Sequence, residues 1–118
     1  MKEFKDLKVG DELILLYGYS WLNLEYSTFK ITDIKKGKDD LLDLEGIFDE
    51  LTHYIYVRGN QVINGIGVYL YDRHVDQVDE YEFIKAFDNL ENCKRYAVKI
   101  ILKNIKSCEN QLNSVLLW

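Results

Sequence analysis

The sequence predicts an α+β fold: a small, strongly curved antiparallel β-sheet of five or six strands, followed by a short helix and a long C-terminal amphipathic helix. Short runs of β-forming residues separated by turn residues fill most of the chain, whereas apolar residues recur every three or four positions near its end. Strands first and helices last is the α+β order. We therefore expect one domain over residues 1–118, mainly β over 1–78 and helical over 79–118.

The first predicted strand is an apolar run at residues 13–17. A second strand, over residues 26–36, alternates apolar and polar residues, and the alternation slips once near Asp33, which predicts a β-bulge there. Residues 41–44 follow a turn-forming segment and pair back as a third strand. We expect residues 45–51 to be a connection or at most one short helical turn. Residues 52–57 are rich enough in β-formers to be the next strand.

A further hairpin is predicted at Asn64-Gly65, between the apolar runs at residues 61–63 and 66–71. Asn-Gly is a strong hairpin signal because both central positions of a type I′ turn need positive φ. A curved sheet of this size closes most economically as a small barrel or half-barrel, with the helix on its open side. Residues 7–13, LKVGDEL, resemble the start of small barrels of the SH3-like kind.

Two helices are predicted after the sheet. Asp79 is placed as the N-cap of a short helix over residues 79–87. Residues 89–118 form the long helix, whose apolar stripe includes both cysteines of the chain, Cys93 and Cys108. If that helix is continuous, the cysteines are separated by about 22 Å, far beyond disulfide reach. We expect both to be reduced core residues.

Composition restricts the function. The chain has 118 residues, a formal net charge of −5 and an aromatic content of 14%. Residues 1–88 carry 10 Lys and Arg against 18 Asp and Glu, and residues 89–118 carry 5 against 2. The acidic balance argues against a simple nucleic-acid-binding protein. A charged opening, MKEFKDLKVG, and the lack of a long apolar run predict a cytoplasmic protein with no membrane contact.

The densest group of carboxylates is predicted to bind a protein partner, with a merely solvated acidic edge as the alternative. It consists of Asp39, Asp40, Asp43, Glu45, Asp49 and Glu50. These residues do not form a calcium loop, because the sixth position of residues 39–50 is not glycine. Catalysis and metal binding have one weak candidate set, Asp72, His74 and Asp76, to which His53 could be added only if the strands bring it close. We predict no catalytic site, metal or cofactor.

Tyrosines form the second candidate surface. Tyr54 and Tyr56 share one face of a strand, as do Tyr69 and Tyr71. If the hairpin pairs as predicted, the four rings form one aromatic face. Tyrosine is frequent in protein-binding faces because it supplies rigid area and a hydroxyl group. The alternatives are a tyrosine-rich rim of the core and a stacking platform for nucleic-acid bases.

The polar side of the long helix carries a basic stripe, formed by Arg95, Lys99, Lys103 and Lys106. The stripe could contact phosphate or an acidic protein surface, or be an ordinary solvated face. A helix of this length could also extend beyond the barrel and pair with a second copy, so a homodimer through the helix is one alternative.

The sequence best fits a small acidic, non-enzymatic protein-interaction module that occludes a basic surface of a partner, for example a nucleic-acid-processing protein. In size and charge the chain is similar to small acidic inhibitors carried by phages and mobile elements, which act as nucleic-acid mimics. The alternative is a β-barrel that binds nucleic acid or another ligand with its tyrosine faces and the basic stripe. An enzyme ranks third.

Overall fold

The computed structural model describes residues 2–19, 23–72 and 83–118, apart from the side chains of Phe83 and residues 105–109. Within these residues the chain forms a 3-10 turn (Phe4–Asp6), six strands and two helices. Their bounds are β1 Glu12–Gly18, β2 Leu24–Lys36, β3 Leu41–Phe48, β4 Leu51–Arg58, β5 Asn64–Gly67, β6 Phe83–Phe87, α1 Leu90–Leu102 and α2 Ile105–Leu116.

The six described strands form one antiparallel sheet in the order β4-β3-β2-β1-β6-β5. β1 is therefore an interior strand: it pairs with β2 from Glu12 to Gly18 and with β6 from Ile14 to Gly18. The sheet curls into a half-barrel that is followed by the two helices, so the predicted fold class is confirmed. Closure comes from the segment after β5, where Tyr54 and Tyr71 exchange backbone hydrogen bonds of 2.8 and 3.0 Å.

Inward-facing side chains of the curled sheet form its main apolar core. On β1 the inward residues are Leu13, Leu15 and Tyr17. Between Ile31 and Asp33 the register of β2 against β3 shifts by one residue, so the predicted β-bulge near Asp33 is confirmed. The shift returns Ile34 to the inner side, where it packs against the same core. One bulge thus keeps the apolar side chains of a 13-residue strand pointing inward.

Helices α1 and α2 fold back on each other rather than forming one long helix. α1 begins at its N-cap Asn89, whose side chain accepts a hydrogen bond from the backbone N–H of Asn92 (2.9 Å), and ends at the C-cap Lys103. Lys94 Nζ, near the start of α1, donates to the backbone oxygen of Leu116 at the end of α2 (3.2 Å). The premise of a continuous helix, used above to separate the cysteines, is therefore wrong.

The helical hairpin covers the outer face of the sheet, not its open side. Its core joins outward residues of β1, β2 and β6 to the apolar sides of both helices: Leu16, Leu24, Phe87, Cys93, Ala97, Ile101 and Val115. Cys93 is completely buried there. Both faces of β1 are consequently covered by apolar side chains, one face by the barrel core and the other by the helices.

Three of the predicted local structures are wrong. Residues 83–87 are strand β6, not the end of a helix, whereas Asp79 and residues 80–82 lie outside the described part of the chain. Asn64-Gly65 is not a hairpin turn but the start of β5, where only Gly65 has positive φ (+83°) and the register against β6 shifts. The predicted connection at residues 45–51 is mostly strand, because β3 runs to Phe48.

The hairpin turns occur instead at acidic residues. Asp39 and Asp40, between β2 and β3, have φ values of 57° and 60°; Asp49 and Glu50, between β3 and β4, have 50° and 66°. Two successive positive φ values are typical of a type I′ turn, whose twist matches that of the flanking strands.

Neither helix of the described chain has the length and apolar character needed to cross a membrane.

Candidate functional site

The six acids predicted to form one binding cluster are spread along β3. Asp39 and Asp40 precede the strand, Asp49 and Glu50 follow it, and the eight residues between them span about 27 Å. Asp43 and Glu45 lie between the two turns, on the outer side of β3, because Leu42, Leu44 and Gly46 point inward. The cluster is therefore three separate pairs, of which only the middle one lies on a sheet face.

The middle pair lies directly opposite two of the predicted tyrosines. Asp43 pairs with Tyr56 and Glu45 with Tyr54 across the β3–β4 ladder, so all four side chains share the outer face. Tyr71 joins them through its backbone bridge to Tyr54. Its ring meets that of Tyr56 edge-on, with 5.2 Å between ring centroids and 67° between planes. We call these five residues the tyrosine–carboxylate face.

Three of the four tyrosines predicted to share a face come together, although the Asn64-Gly65 hairpin does not bring them there. Tyr54 and Tyr56 point to the same side of β4. Tyr71 lies in the segment after β5, which pairs with β4 at Tyr54. Tyr69, on the same side of that segment as Tyr71, is 60% exposed. The arrangement depends on the backbone pairing of Tyr54 with Tyr71, which no local sequence signal revealed.

Asp43 is the most unusual group of this face. Its Oδ1 atom is buried, and no described residue donates a hydrogen bond to it. Burial raises the pKa of the Asp43 carboxyl, an effect opposed by the charge of Lys35 and reinforced by Glu45 and Asp33. The side chain of Lys35, opposite Asp43 in β2, is largely exposed, and its Nζ lies 3.9 Å from Asp33 Oδ2.

Tyr56 is perturbed by the same surroundings. Burial raises the pKa of its phenol, and the Asp43 carboxylate raises it further. The ring nevertheless stays 41% exposed. A neutral phenol beside a carboxylate to which no described residue donates is suited to receive a cation, because ring and carboxylate both attract positive charge.

The predicted basic stripe is interrupted by the end of α1. Arg95 and Lys99 lie on α1, Lys103 is its C-cap, and Lys106 belongs to α2, with its side chain outside the described set. Arg95 Nε lies 3.6 Å from Glu91 Oε1, which offsets part of its charge. An open groove of about 630 Å³ borders this side of α1, with Val98 and Leu102 among its apolar lining residues.

The residues considered for catalysis are not brought together by any described contact. His53 points inward, where its ring meets Phe48 edge-on at 5.6 Å, and its Nδ1 lies 3.2 Å from the backbone oxygen of Leu51. His74 and Asp76 lie outside the described residues, so their relation to Asp72 stays a prediction. In residues 2–19, 23–72 and 83–118, no group of three or more His, Cys, Asp and Glu side chains is placed to hold a metal ion.

Of the two cysteines, only Cys93 has a described side chain. Burial raises the pKa of the Cys93 thiol to about 12, so this residue is an inert core group rather than a nucleophile. The side chain of Cys108 lies outside the described set.

Comparisons of the chain with models of protein families, with curated proteins and with solved structures find no match.

Proposed function

We propose that this protein is a non-enzymatic protein-binding domain that covers a basic surface of a partner with its tyrosine–carboxylate face. The observation that carries the proposal is the alignment of Asp43 and Glu45 with Tyr56 and Tyr54 on one outer sheet face. Rigid tyrosine rings supply contact area at low entropic cost, and the carboxylates favour a positively charged partner.

Occlusion of a nucleic-acid-binding surface is the consequence that we propose for such binding. A basic groove that normally contacts phosphates would be attracted to a chain of net charge −5 and covered by it. The partner is then a nucleic-acid-processing protein of the cytoplasm, and the domain is an inhibitor of the kind carried by phages and mobile elements. Free nucleic acid would be repelled by the same carboxylates.

The test is a comparison of two charge reversals in a pull-down from nuclease-treated lysate. Asp43→Lys/Glu45→Lys changes the face, and Glu12→Lys/Glu25→Lys makes the same change of net charge at exposed positions of β1 and β2. We expect the wild type and the control variant to retain a protein partner and the face variant to lose it. High salt should release the partner from the wild type. Equal loss in both variants, or in neither, would contradict the role of the face.

The second candidate is binding of nucleic acid or another anionic ligand at the α1 groove. Lys99 and Lys103 beside apolar Val98 and Leu102 favour it, but the Arg95–Glu91 pair and the break after Leu102 leave a shorter basic stripe than the sequence predicted. Retained ligand that disappears with nuclease and with Lys99→Gln/Lys103→Gln would support this candidate.

Recovery of the chain alone, as a dimer sensitive to changes on the helices, would support self-association.

A further inference from the structure

The centre of the tyrosine–carboxylate face has the features of a receptor for one cationic side chain. We infer that it is an anchor site for an arginine of the partner, whose guanidinium binds the Asp43 carboxylate and stacks on the ring of Tyr56. This inference deepens the proposed function and rests on it. It concerns which chemical group the face recognises, whereas the proposed function concerns the whole surface.

The Asp43 carboxylate has a buried oxygen without a described donor. A buried carboxylate oxygen normally has a donor, and the lack of one is costly. None of the described residues donates to Asp43 Oδ1. Lys35 stands opposite in the ladder, but its Nζ is within 4 Å of Asp33 and the side chain is 71% exposed. Among the residues that the structure describes, Asp43 Oδ1 is therefore an acceptor that the facing cation, Lys35, leaves open.

Two tyrosine rings lie beside this carboxylate. Tyr56 lies directly opposite Asp43, and Tyr71 supports it edge-on at 5.2 Å. This contact restrains the Tyr56 ring before any partner arrives, so little side-chain freedom is lost on binding. Oδ1 itself is buried, whereas the Asp43 residue as a whole is only partly buried, so we place the guanidinium at the solvent-facing side of the carboxylate. Glu45, two residues along the same face and opposite Tyr54, adds a second negative charge.

The chemistry of the site favours arginine over lysine. A guanidinium is planar, presents several donors in a fixed fork and stacks on aromatic rings, whereas an ammonium is compact and strongly hydrated. A desolvated carboxylate beside an aromatic ring matches the planar cation. A lysine-preferring site is therefore an outcome that would contradict the inference.

The experiment uses the full chain and three matched probes: acetyl-Gly-Arg-Gly-amide, its lysine analogue and its uncharged citrulline analogue. Binding is followed by amide and tyrosine-ring chemical shifts in NMR titrations. We expect the arginine peptide to shift resonances of β3 and β4, with affinity at least about fivefold above that of the lysine peptide and no saturable citrulline binding. Equal arginine and lysine affinities, or binding of citrulline, would overturn the inference.

Two variants identify the groups involved. Asp43→Asn should weaken arginine-peptide binding by about tenfold or more, because it removes the charge from the acceptor. Tyr56→Leu should weaken it by about threefold to tenfold while keeping an apolar side chain. Asp49→Asn, which makes the same chemical change in the turn outside the face, should leave binding unchanged. Unaltered binding by Asp43→Asn overturns the inference.

The outcomes separate this inference from the proposed function. If Asp43→Lys/Glu45→Lys loses the protein partner, but Asp43→Asn keeps it and the arginine peptide does not bind, the anchor site is wrong and the binding face stands. If the peptide binds as expected but the face variant retains its partner, the site recognises arginine and the proposed partner surface is wrong. If both tests fail, both are wrong.

Discussion

Replacing Gly46 by alanine should destabilise the protein strongly, although Gly46 lies inside a strand. A Cβ atom at this position would lie 2.5 Å from both Cε1 and Cζ of Phe29 and 2.6 Å from the backbone oxygen of Lys30. Phe29 is fully buried, and the Lys30 backbone belongs to the β2–β3 ladder, so neither neighbour can move freely. Glycine here allows the Phe29 ring to pack directly beneath β3.

The magnitude follows from the type of contact. Overpacking a core costs about 1–3 kcal/mol, and a clash that includes backbone belongs at the upper end of that range. Loss of about 3 kcal/mol would lower the melting temperature by about 12 °C in a domain of this size. Without the clash, alanine would raise stability by about 0.5–1 kcal/mol, because glycine weakens a strand interior. The two hypotheses therefore differ in sign.

The assay is thermal unfolding followed by circular dichroism. Gly67→Ala is the matched control, since its Cβ would meet only the flexible end of Lys85, at 3.5 Å, and should be neutral or slightly stabilising. Phe29→Leu combined with Gly46→Ala should cost less than the sum of the single changes, because the ring atoms that clash are gone. A Gly46→Ala melting temperature equal to that of the wild type would refute the packing of Phe29 beneath β3.

Three further outcomes are expected. Replacing Asp49-Glu50 by Asn-Gly should raise the melting temperature by about 3–6 °C. Both residues have positive φ, and glycine removes the backbone strain at the second position. A lower melting temperature would contradict the type I′ turn. Asp43→Asn should stabilise the fold at pH 7, by less than about 1 kcal/mol given partial solvation. The raised pKa means that ionisation of Asp43 opposes folding. In urea titrations, the added stability of the Asp43→Asn variant should therefore disappear as the pH falls below 3.8, the ordinary carboxyl pKa. Added stability that does not change with pH would exclude this cause. In a Cys108→Ser background, Cys93 should react with iodoacetamide at pH 8 about a thousandfold more slowly than a free thiol, and rapid labelling of the folded protein would show that Cys93 is accessible.

Asp43→Asn also connects stability with function. If Asp43 served the fold, its neutralisation would weaken the protein. We expect the opposite: a more stable protein that binds arginine less well. Binding sites commonly retain such a group at the expense of stability.

Sequence patterns revealed the strands where one face was buried and the other was not. The slip of alternation near Asp33 was interpretable because β2 has an inner and an outer side, so a bulge leaves a visible change of phase. β6 has apolar contacts on both sides, with Ile84 and Ala86 inward and Phe87 against the helices. A strand covered on both faces loses its alternation, and the spacing of its aromatic residues then resembles that of a helix.

The other errors have equally physical causes. A continuous helix and a helical hairpin place the same apolar stripe inside, so spacing could not show the break at Lys103 and Asn104. At Gly65 the positive φ belongs to a β5 irregularity beside Tyr96, whose ring atom would lie 3.2 Å from an added Cβ. The tyrosine–carboxylate face was only partly predictable, because the contact between Tyr56 and Tyr71 depends on a long-range pairing across the barrel.

The central position of β1 also has a consequence during biosynthesis. One edge of β1 pairs with β2, which follows it directly, but the other edge must wait for β6, and the outer side chain of Leu16 must wait for α1. A nascent chain whose β1–β4 meander has just left the ribosome would therefore present an unpaired strand edge and an apolar surface to solvent. Such an intermediate is prone to aggregate or to recruit chaperones until the last third of the chain emerges.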